Sequence, residues 1–289
     1  MLSYNDDTLG RADEAARLGD KSAMYAALRA MPHGDFCEMM WTPPARYPAL
    51  IKLLPRLPSA EKQKMWTGHS GRELMIKSAN IMRLLDLCSW RHTGKGLERK
   101  TLLDYGCGWG RLLRLAYRFS PVESVYGIDP MDRSIEACQE SGLGGNVAKC
   151  EALPDELPFS GTMFDFIWCY SVFTHLNLEA MIAILTALRK RIAEGGAFAL
   201  TIRPKEFWNT RQATQSAEVI AELVKEHERS GYSYFHGGVV DAALGGTYGE
   251  TSISFEKLGS LATQTGWRIA GIDRDAMEPI QVVVTLVPA

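Results

Sequence analysis

The chain has 289 residues, 46% of them apolar and 23% charged, and a net charge of −2. This is the composition of a soluble globular protein with a real core. A balance so near zero leaves no broad electrostatic footprint for duplex nucleic acid, although a local basic groove stays open. At about 150 residues per domain the length points to roughly two domains, but α/β folds of about 250 residues often form one. The opening residues, MLSYNDDTLGRADEAARLGD, are acidic without an apolar run, so no secretory or transit signal is expected. No stretch reaches the roughly 18 uninterrupted apolar residues of a membrane span. Cys37, Cys88, Cys107, Cys138, Cys150 and Cys169 are scattered without a C-x-x-C pair, which predicts reduced thiols and a cytoplasmic protein. The histidines never fall two or three apart, so no metal site is predicted.

In chain order, residues 11–30 are Ala-rich with a stripe at Ala23, Ala26, Ala27 and Ala30, predicting a helix. Pro43 to Pro58 cannot be one long helix. Ser70 and Glu73 form the pattern of a capping box that opens a helix near 71–91, with Leu74, Ile81, Leu84, Leu85 and Cys88 on one face. The run Thr93-Gly94-Lys95-Gly96 reads as a linker. From residue 101 short apolar runs alternate with helical periods. Strands are expected at 101–105, 124–129, 146–150, 164–170 and 196–202, and helices near 110–119, 131–141 and 178–193. Such alternation implies crossovers and a parallel sheet. A helix near 254–265, capped by Ser254, precedes strands at 267–273 and 280–287. Their short connection permits only an antiparallel pair.

Chemistry concentrates in Leu102-Leu103-Asp104-Tyr105-Gly106-Cys107-Gly108-Trp109-Gly110-Arg111. An apolar strand runs into three alternate glycines and then a helix, the nucleotide-binding end of a Rossmann-like unit. The dinucleotide pattern G-x-G-x-x-G fails, because Arg111 stands at its last position. Asp129 ends the next strand, where a carboxylate can take both hydroxyls of a ribose.

With these residues the sequence resembles the class I S-adenosylmethionine (SAM) methyltransferases, well over about residues 100–205 and more loosely over 254–289. The resemblance implies an α/β, Rossmann-like, mostly parallel seven-stranded sheet with an antiparallel terminal strand. It also implies SAM as cofactor. Asp104, Gly106, Gly108 and Gly110 match the family's loop for the methionine and ribose parts. Asp129 matches the ribose acid, followed by Pro130 and by Met131 against the adenine. Glu151, with Ala152, matches the polar residue near the adenine amine, and Tyr170 and Ser171 line the pocket after strand four. Glycine-containing segments like Trp66, Thr67, Gly68, His69, Ser70 and Arg72 lie over the cofactor in this family. The expected organisation is an N-terminal helical cap over 1–95 and a methyltransferase domain over 96–289, with 203–252 inserted as an acceptor pocket.

Each residue also has a plainer reading. Asp129 can also cap the following helix while it binds the ribose, and Asp104 is equally suited to tying the loop. The Trp66 segment reads as a simple helix start. His175 follows strand four on the ligand-binding side and is the first candidate for a general base; otherwise it caps the next helix or packs beneath the cofactor. His236 and Glu250 are rival bases in a segment rich in Arg203, Trp208, Tyr232, Tyr234 and Tyr248. That segment reads alternatively as an exposed hairpin or a homodimer contact. The expected activity is methylation of a small polar acceptor, foremost O-methylation of a sugar or sugar-bearing metabolite. The alternatives are N- or O-methylation in natural-product assembly, or SAM binding without catalysis. A nucleic-acid acceptor is disfavoured by the charge and by the absence of an Asn/Asp-Pro-Pro-aromatic motif; strand four ends Cys169-Tyr170-Ser171-Val172.

Overall fold

The computed structural model describes residues 3–236, 244–275 and 277–289. The Ala-rich stretch at 11–30 is two helices, α1 (Asp6–Arg17) and α2 (Lys21–Leu28). Gly19 turns the chain with φ 74°, and the Asp20 carboxylate accepts the Ala23 N–H at 2.8 Å. A glycine followed by an N-cap residue thus overrides the alanine periodicity. The helices α3 (His33–Trp41), α4 (Pro48–Leu53, with proline in its first turn), α5 (Ala60–Thr67) and α6 (Gly71–Thr93) follow. Glu73 does not close a reciprocal box with Ser70. Its carboxylate pairs with His69 Nδ1 at 2.7 Å, and the Gly71 N–H is taken by Gln63 Oε1 at 3.0 Å.

Seven strands form the main sheet: β1 (Leu102–Tyr105), β2 (Val125–Asp129), β3 (Asn146–Lys149), β4 (Phe164–Cys169), β5 (Ile192–Ile202), β8 (Trp267–Arg274) and β9 (Val282–Pro288). Their order is β3-β2-β1-β4-β5-β9-β8. β1 with β2, β2 with β3 and β4 with β5 pair in parallel, whereas β9 is antiparallel to both β5 and β8. The crossovers are α7 (Leu113–Ala116), α8 (Asp132–Ser141) and α9 (Leu178–Arg189). α7 is far shorter than the helix expected at 110–119, because tight turns such as Arg118 N–H to Leu115 and Phe119 N–H to Ala116 replace the α pattern.

The chain packs as two compact units. In the first, the helices through Asp86 share a core with Leu97–Lys149. The Tyr25 and Tyr117 rings lie 4.9 Å apart, and Trp41 meets Trp109 edge-on at 6.4 Å. Arg114 is wholly buried; its guanidinium sits 4.9 Å over Trp109 and donates to the carbonyls of Gly110, Pro55 and Arg56. The second unit is Leu87–Gly96 with Cys150–Ala289. Its strand β4 is buried at Phe164, Phe166, Ile167, Trp168 and Cys169, the apolar run expected of a strand covered on both faces.

The described residues of the segment 203–252 are folded. They hold a short 3-10 helix (Lys205–Arg211), α10 (Ala217–Ser230) and an antiparallel pair, β6 (Tyr232–His236) with β7 (Gly249–Ile253), before α11 (Phe255–Gln264). Residues 237–243 of the expected pocket lie outside the described residues. Phe207, Trp208 and Ile220 make its core, with Leu223, Val224, Phe235 and Ile280 against them. The Trp208 indole N–H lies 2.8 Å from both Ser233 Oγ and Ser252 Oγ, and His227 Nδ1 is 2.7 Å from Ser252 Oγ. Trp208→Phe removes the indole N–H that both hydroxyls share, while leaving them bonded to each other at 2.9 Å, and should cost about 1 kcal/mol in urea unfolding. A change within error would show that the network does not stabilise the module.

Candidate functional site

The glycine loop leaves the carboxyl end of β1 and is tied to β2. The N–H groups of Gly106 and Cys107 both donate to the Ile128 carbonyl, at 2.7 and 3.0 Å. Asp129, 3% exposed, accepts the Gly108 N–H on Oδ2 and the Met131 N–H on Oδ1, each at 2.9 Å. Burial raises the Asp129 pKa, and those two N–H groups, the Ser134 hydroxyl and Arg133 act against the rise. Asp129 is therefore a clamp joining the loop to the start of α8, where Met131 is the N-cap after Pro130. Two of the carboxylate's roughly four acceptor positions are taken by these bonds.

The alternate glycines do different work. All three have positive φ: 76° at Gly106, 54° at Gly108 and 78° at Gly110. A Cβ on Gly110 would come 2.5 Å from Leu143 Cδ2, so this glycine lets α8 and its following turn pack closely. A Cβ on Gly108 would meet only the edge of Trp66, 3.9 Å from Cδ1 and 4.0 Å from Nε1. Gly108 is thus the position where the backbone is open to a ligand. Cys138 on α8 donates its thiol to the Gly108 carbonyl at 3.2 Å, which fixes the other side of the peptide. Asp104 is buried on β1, Glu151 is exposed just after β3, and Ala152 is half-buried.

A second group of polar side chains gathers at the carboxyl ends of β4 and β5. Ser171 holds φ 59°, rare outside glycine. Its N–H donates to Thr201 Oγ1 at 2.7 Å, and its hydroxyl lies 2.9 Å from Gln281 Oε1 and 2.7 Å from Gln281 Nε2. Such strain persists only where neighbours over-determine it, and it clusters at functional sites. Tyr170 before it is buried.

β7 is stitched to the turn after β4. The Gly249 N–H donates to the His175 carbonyl at 2.7 Å, and the Thr251 N–H to the Thr174 carbonyl at 3.0 Å. This brings His175 and Glu250 together with Arg203 and Arg211. Arg203 Nη1 pairs with Glu250 Oε2, and Arg211 Nη2 lies 3.5 Å from Glu250 Oε1. The Arg203 guanidinium also covers the Phe207 ring at 4.1 Å. Burial draws the Arg203 pKa down, against the pull of Glu250.

His175 has no nitrogen left to take a proton. Its Nδ1 is 2.8 Å from the Gly249 carbonyl, which can only accept, so Nδ1 carries the hydrogen. Nε2 then accepts from Arg203 Nη2 at 3.3 Å. The ring stacks on Tyr248 at 4.8 Å and 6°. Burial, then the Arg203 charge, lower its pKa to about 3. His236 is exposed on β6, stands opposite Gly249 in the β6–β7 pairing and meets Tyr234 edge-on at 6.1 Å. Arg211 and Gln281 escaped the sequence reading. Arg211 follows a Phe-Trp pair at the end of its 3-10 helix, a signal that composition hides, and Gln281 is brought in only by sheet pairing.

Among the described residues no three His, Cys, Asp or Glu side chains form a group able to hold a metal, and no helix is long and apolar enough to cross a membrane. Residues 102–196 match the family model for the methyltransferase domain. Magnesium protoporphyrin IX methyltransferase (ChlM) from Synechocystis PCC 6803, solved with bound S-adenosylhomocysteine (SAH), shares the fold at 15% identity and TM-score 0.51, over 79% of this chain and 93% of that one. The PH0226 protein from Pyrococcus horikoshii OT3 shares it at 12% identity and TM-score 0.53, over 76% and 93%. No curated protein sequence matches the chain.

The lowered His175 pKa carries a pH signature. The unfolded imidazole binds a proton near pH 6.5, whereas the folded one does so only near 3. Its stabilising contribution is therefore present above about 6.5 and is lost as pH falls toward 3, at up to about 1.4 kcal/mol per pH unit. Wild type should lose stability faster than His175→Gln between pH 6 and 4 in parallel denaturant titrations. Parallel curves would mean that His175 titrates normally.

Proposed function

We propose that the chain is a class I S-adenosylmethionine-dependent methyltransferase, a reading that the methyltransferase-domain match over residues 102–196 supports, and that it methylates a hydroxyl of a small polar acceptor, a sugar or sugar-bearing metabolite. The observation that carries this reading is the Arg203–Glu250–Arg211 group beside the stacked His175–Tyr248 pair. It offers charged donors, a carboxylate acceptor and an aromatic face, the mixture that recognises several hydroxyl groups on one apolar ring. Glu250 and Arg211 keep 22% and 32% of their side chains exposed, so both can reach a ligand.

The glycine loop fits SAM. Gly108 is open where a Cβ would otherwise stand, and Asp129 has acceptor capacity left for the ribose hydroxyls. In this reading Gly106, Gly108 and Gly110 form the cradle, with Asp104 and Met131 beside it. SAM supplies an electrophilic methyl group on a sulfonium. The protein's part is to hold the acceptor oxygen in line and to remove its proton. We assign proton acceptance to Glu250. His175, neutral and bonded through both nitrogens, holds Arg203 and the β7 turn in place. His236 serves as a rim residue.

Two variants test the assignment. Asp129→Ala should weaken SAM binding about 10–150-fold by calorimetry, the loss expected for hydrogen bonds to a charged group. Unchanged affinity in a folded variant would remove Asp129 from the ribose site. Glu250→Gln should lower turnover about 10²–10⁴-fold with SAM affinity unchanged and with loss of the low-pH limb of the pH–rate profile, the limb that reports protonation of the base. Its melting temperature is measured alongside, because the change leaves Arg203 without its partner. Near-normal turnover would point to an acceptor that is already nucleophilic, an amine or a thiolate.

A further inference from the structure

Trp66 stands at the end of α5 with its N–H edge toward the glycine loop. Cδ1 and Nε1 are the atoms nearest the Cβ position of Gly108. Its Nε1 is buried and has no hydrogen-bond partner among the described residues. An indole N–H only donates, and a buried one normally finds an acceptor. The segment carrying it is not loose. Thr67 Oγ1 lies 2.9 Å from both the Gln63 and the His69 carbonyls, which share its one hydrogen, and Gln63 Nε2 donates to the Pro58 carbonyl at 2.8 Å. Gly68 then leaves the helix with φ 75°. The indole is therefore placed by its supports and not by loop chance. The Arg133 guanidinium lies 5.5 Å over the same ring, which makes the surroundings of this N–H electropositive.

Resting on the reading of the glycine loop as the SAM cradle, we infer that the Trp66 indole N–H donates to the carboxylate at the methionine end of the cofactor. The cofactor's polar groups sort by charge. Its ammonium is repelled by Arg133 and has nothing to accept. The ribose hydroxyls match the Asp129 carboxylate, which needs donors. The carboxylate is the anion, and a buried donor beside a guanidinium is what it needs. Trp66 thus selects the amino-acid end of the ligand and sets its direction across Gly108.

The test compares two ligands. SAH carries the carboxylate, whereas 5′-methylthioadenosine lacks the whole amino-acid arm. Trp66→Phe keeps an aromatic ring over Gly108 and removes only the donor edge. Calorimetry should show SAH binding weakened about tenfold or more with 5′-methylthioadenosine binding unchanged. Arg133→Gln, an exposed site with little risk to folding, should lower SAH affinity by a smaller factor with the same selectivity. Equal weakening of both ligands by Trp66→Phe would make Trp66 a packing surface and overturn the inference, as would SAH affinity at the wild-type level in both variants. Wild-type protein that binds neither ligand would overturn the cradle reading and this inference together. Wild-type binding without selective loss overturns this inference alone.

Discussion

A carboxylate buried at the end of a strand must find donors, and Asp129 finds them in the Gly108 and Met131 backbones. Removing an ionised carboxylate from water costs several kcal/mol unless it is bonded. Those bonds decide the shape around it. They hold Gly108 at φ 54°, turn the chain into α8 and press the loop against β2. The Ile128 carbonyl, bonded to two successive N–H groups, continues the same clamp one residue earlier. The loop is therefore set by the protein's own hydrogen bonds before any ligand arrives, so little ordering entropy is left to be lost on binding.

That arrangement was partly legible in the sequence. An apolar run, alternate glycines and an acid at the end of the next strand are local signals with a fixed physical meaning. What each glycine does was not legible. Gly110 is required by Leu143 and Cys138, and Gly108 faces Trp66; those partners come from distant stretches that only folding brings near. The strands of the main sheet were readable because buried parallel strands are nearly continuous apolar runs. The β6–β7 pair was legible only as the alternative of an exposed hairpin, since Tyr232–His236 and Gly249–Ile253 are short and polar. α10 carries ordinary helical spacing and a Ser216 cap, but the segment was read for its polar aromatic residues as an acceptor pocket and no helix was assigned in it. The stretch 11–30 failed the other way: alanine propensity is a weak prior, and Gly19-Asp20 overrides it.

His175 shows why position alone is a poor guide to chemistry. It does follow β4, where ligands gather in open α/β sheets. A general base also needs a free lone pair and a pKa near the working pH. The Gly249 carbonyl fixes the hydrogen on Nδ1, Arg203 occupies Nε2, and burial lowers the pKa to about 3. The same bonds give the residue a different use. They lock the ring against Tyr248 and hold the buried guanidinium in register with Glu250.

The two groups of residues differ in the atoms they use, and the difference follows from what each must recognise. Around the glycine loop the working atoms belong mostly to the backbone: N–H groups on Asp129, a carbonyl on Cys138, an open Cα at Gly108. Backbone atoms suit a ligand that does not change, since ordinary substitutions cannot remove them. Around β7 the backbone pairs with β6, ties the strand through Gly249 and Thr251 to the turn after β4, and bonds His175 Nδ1 through the Gly249 carbonyl. The outward chemistry there comes from the side chains of Arg203, Arg211, Tyr248 and Glu250. Side chains on an inserted hairpin can be exchanged while its attachment bonds persist, which is how a fixed α/β scaffold comes to serve different acceptors. In the reading proposed above, the acceptor is therefore written in those four side chains, and the buried Trp208–Ser233–Ser252 network ties the 3-10 helix to the hairpin so that Arg211 and Glu250 stay together.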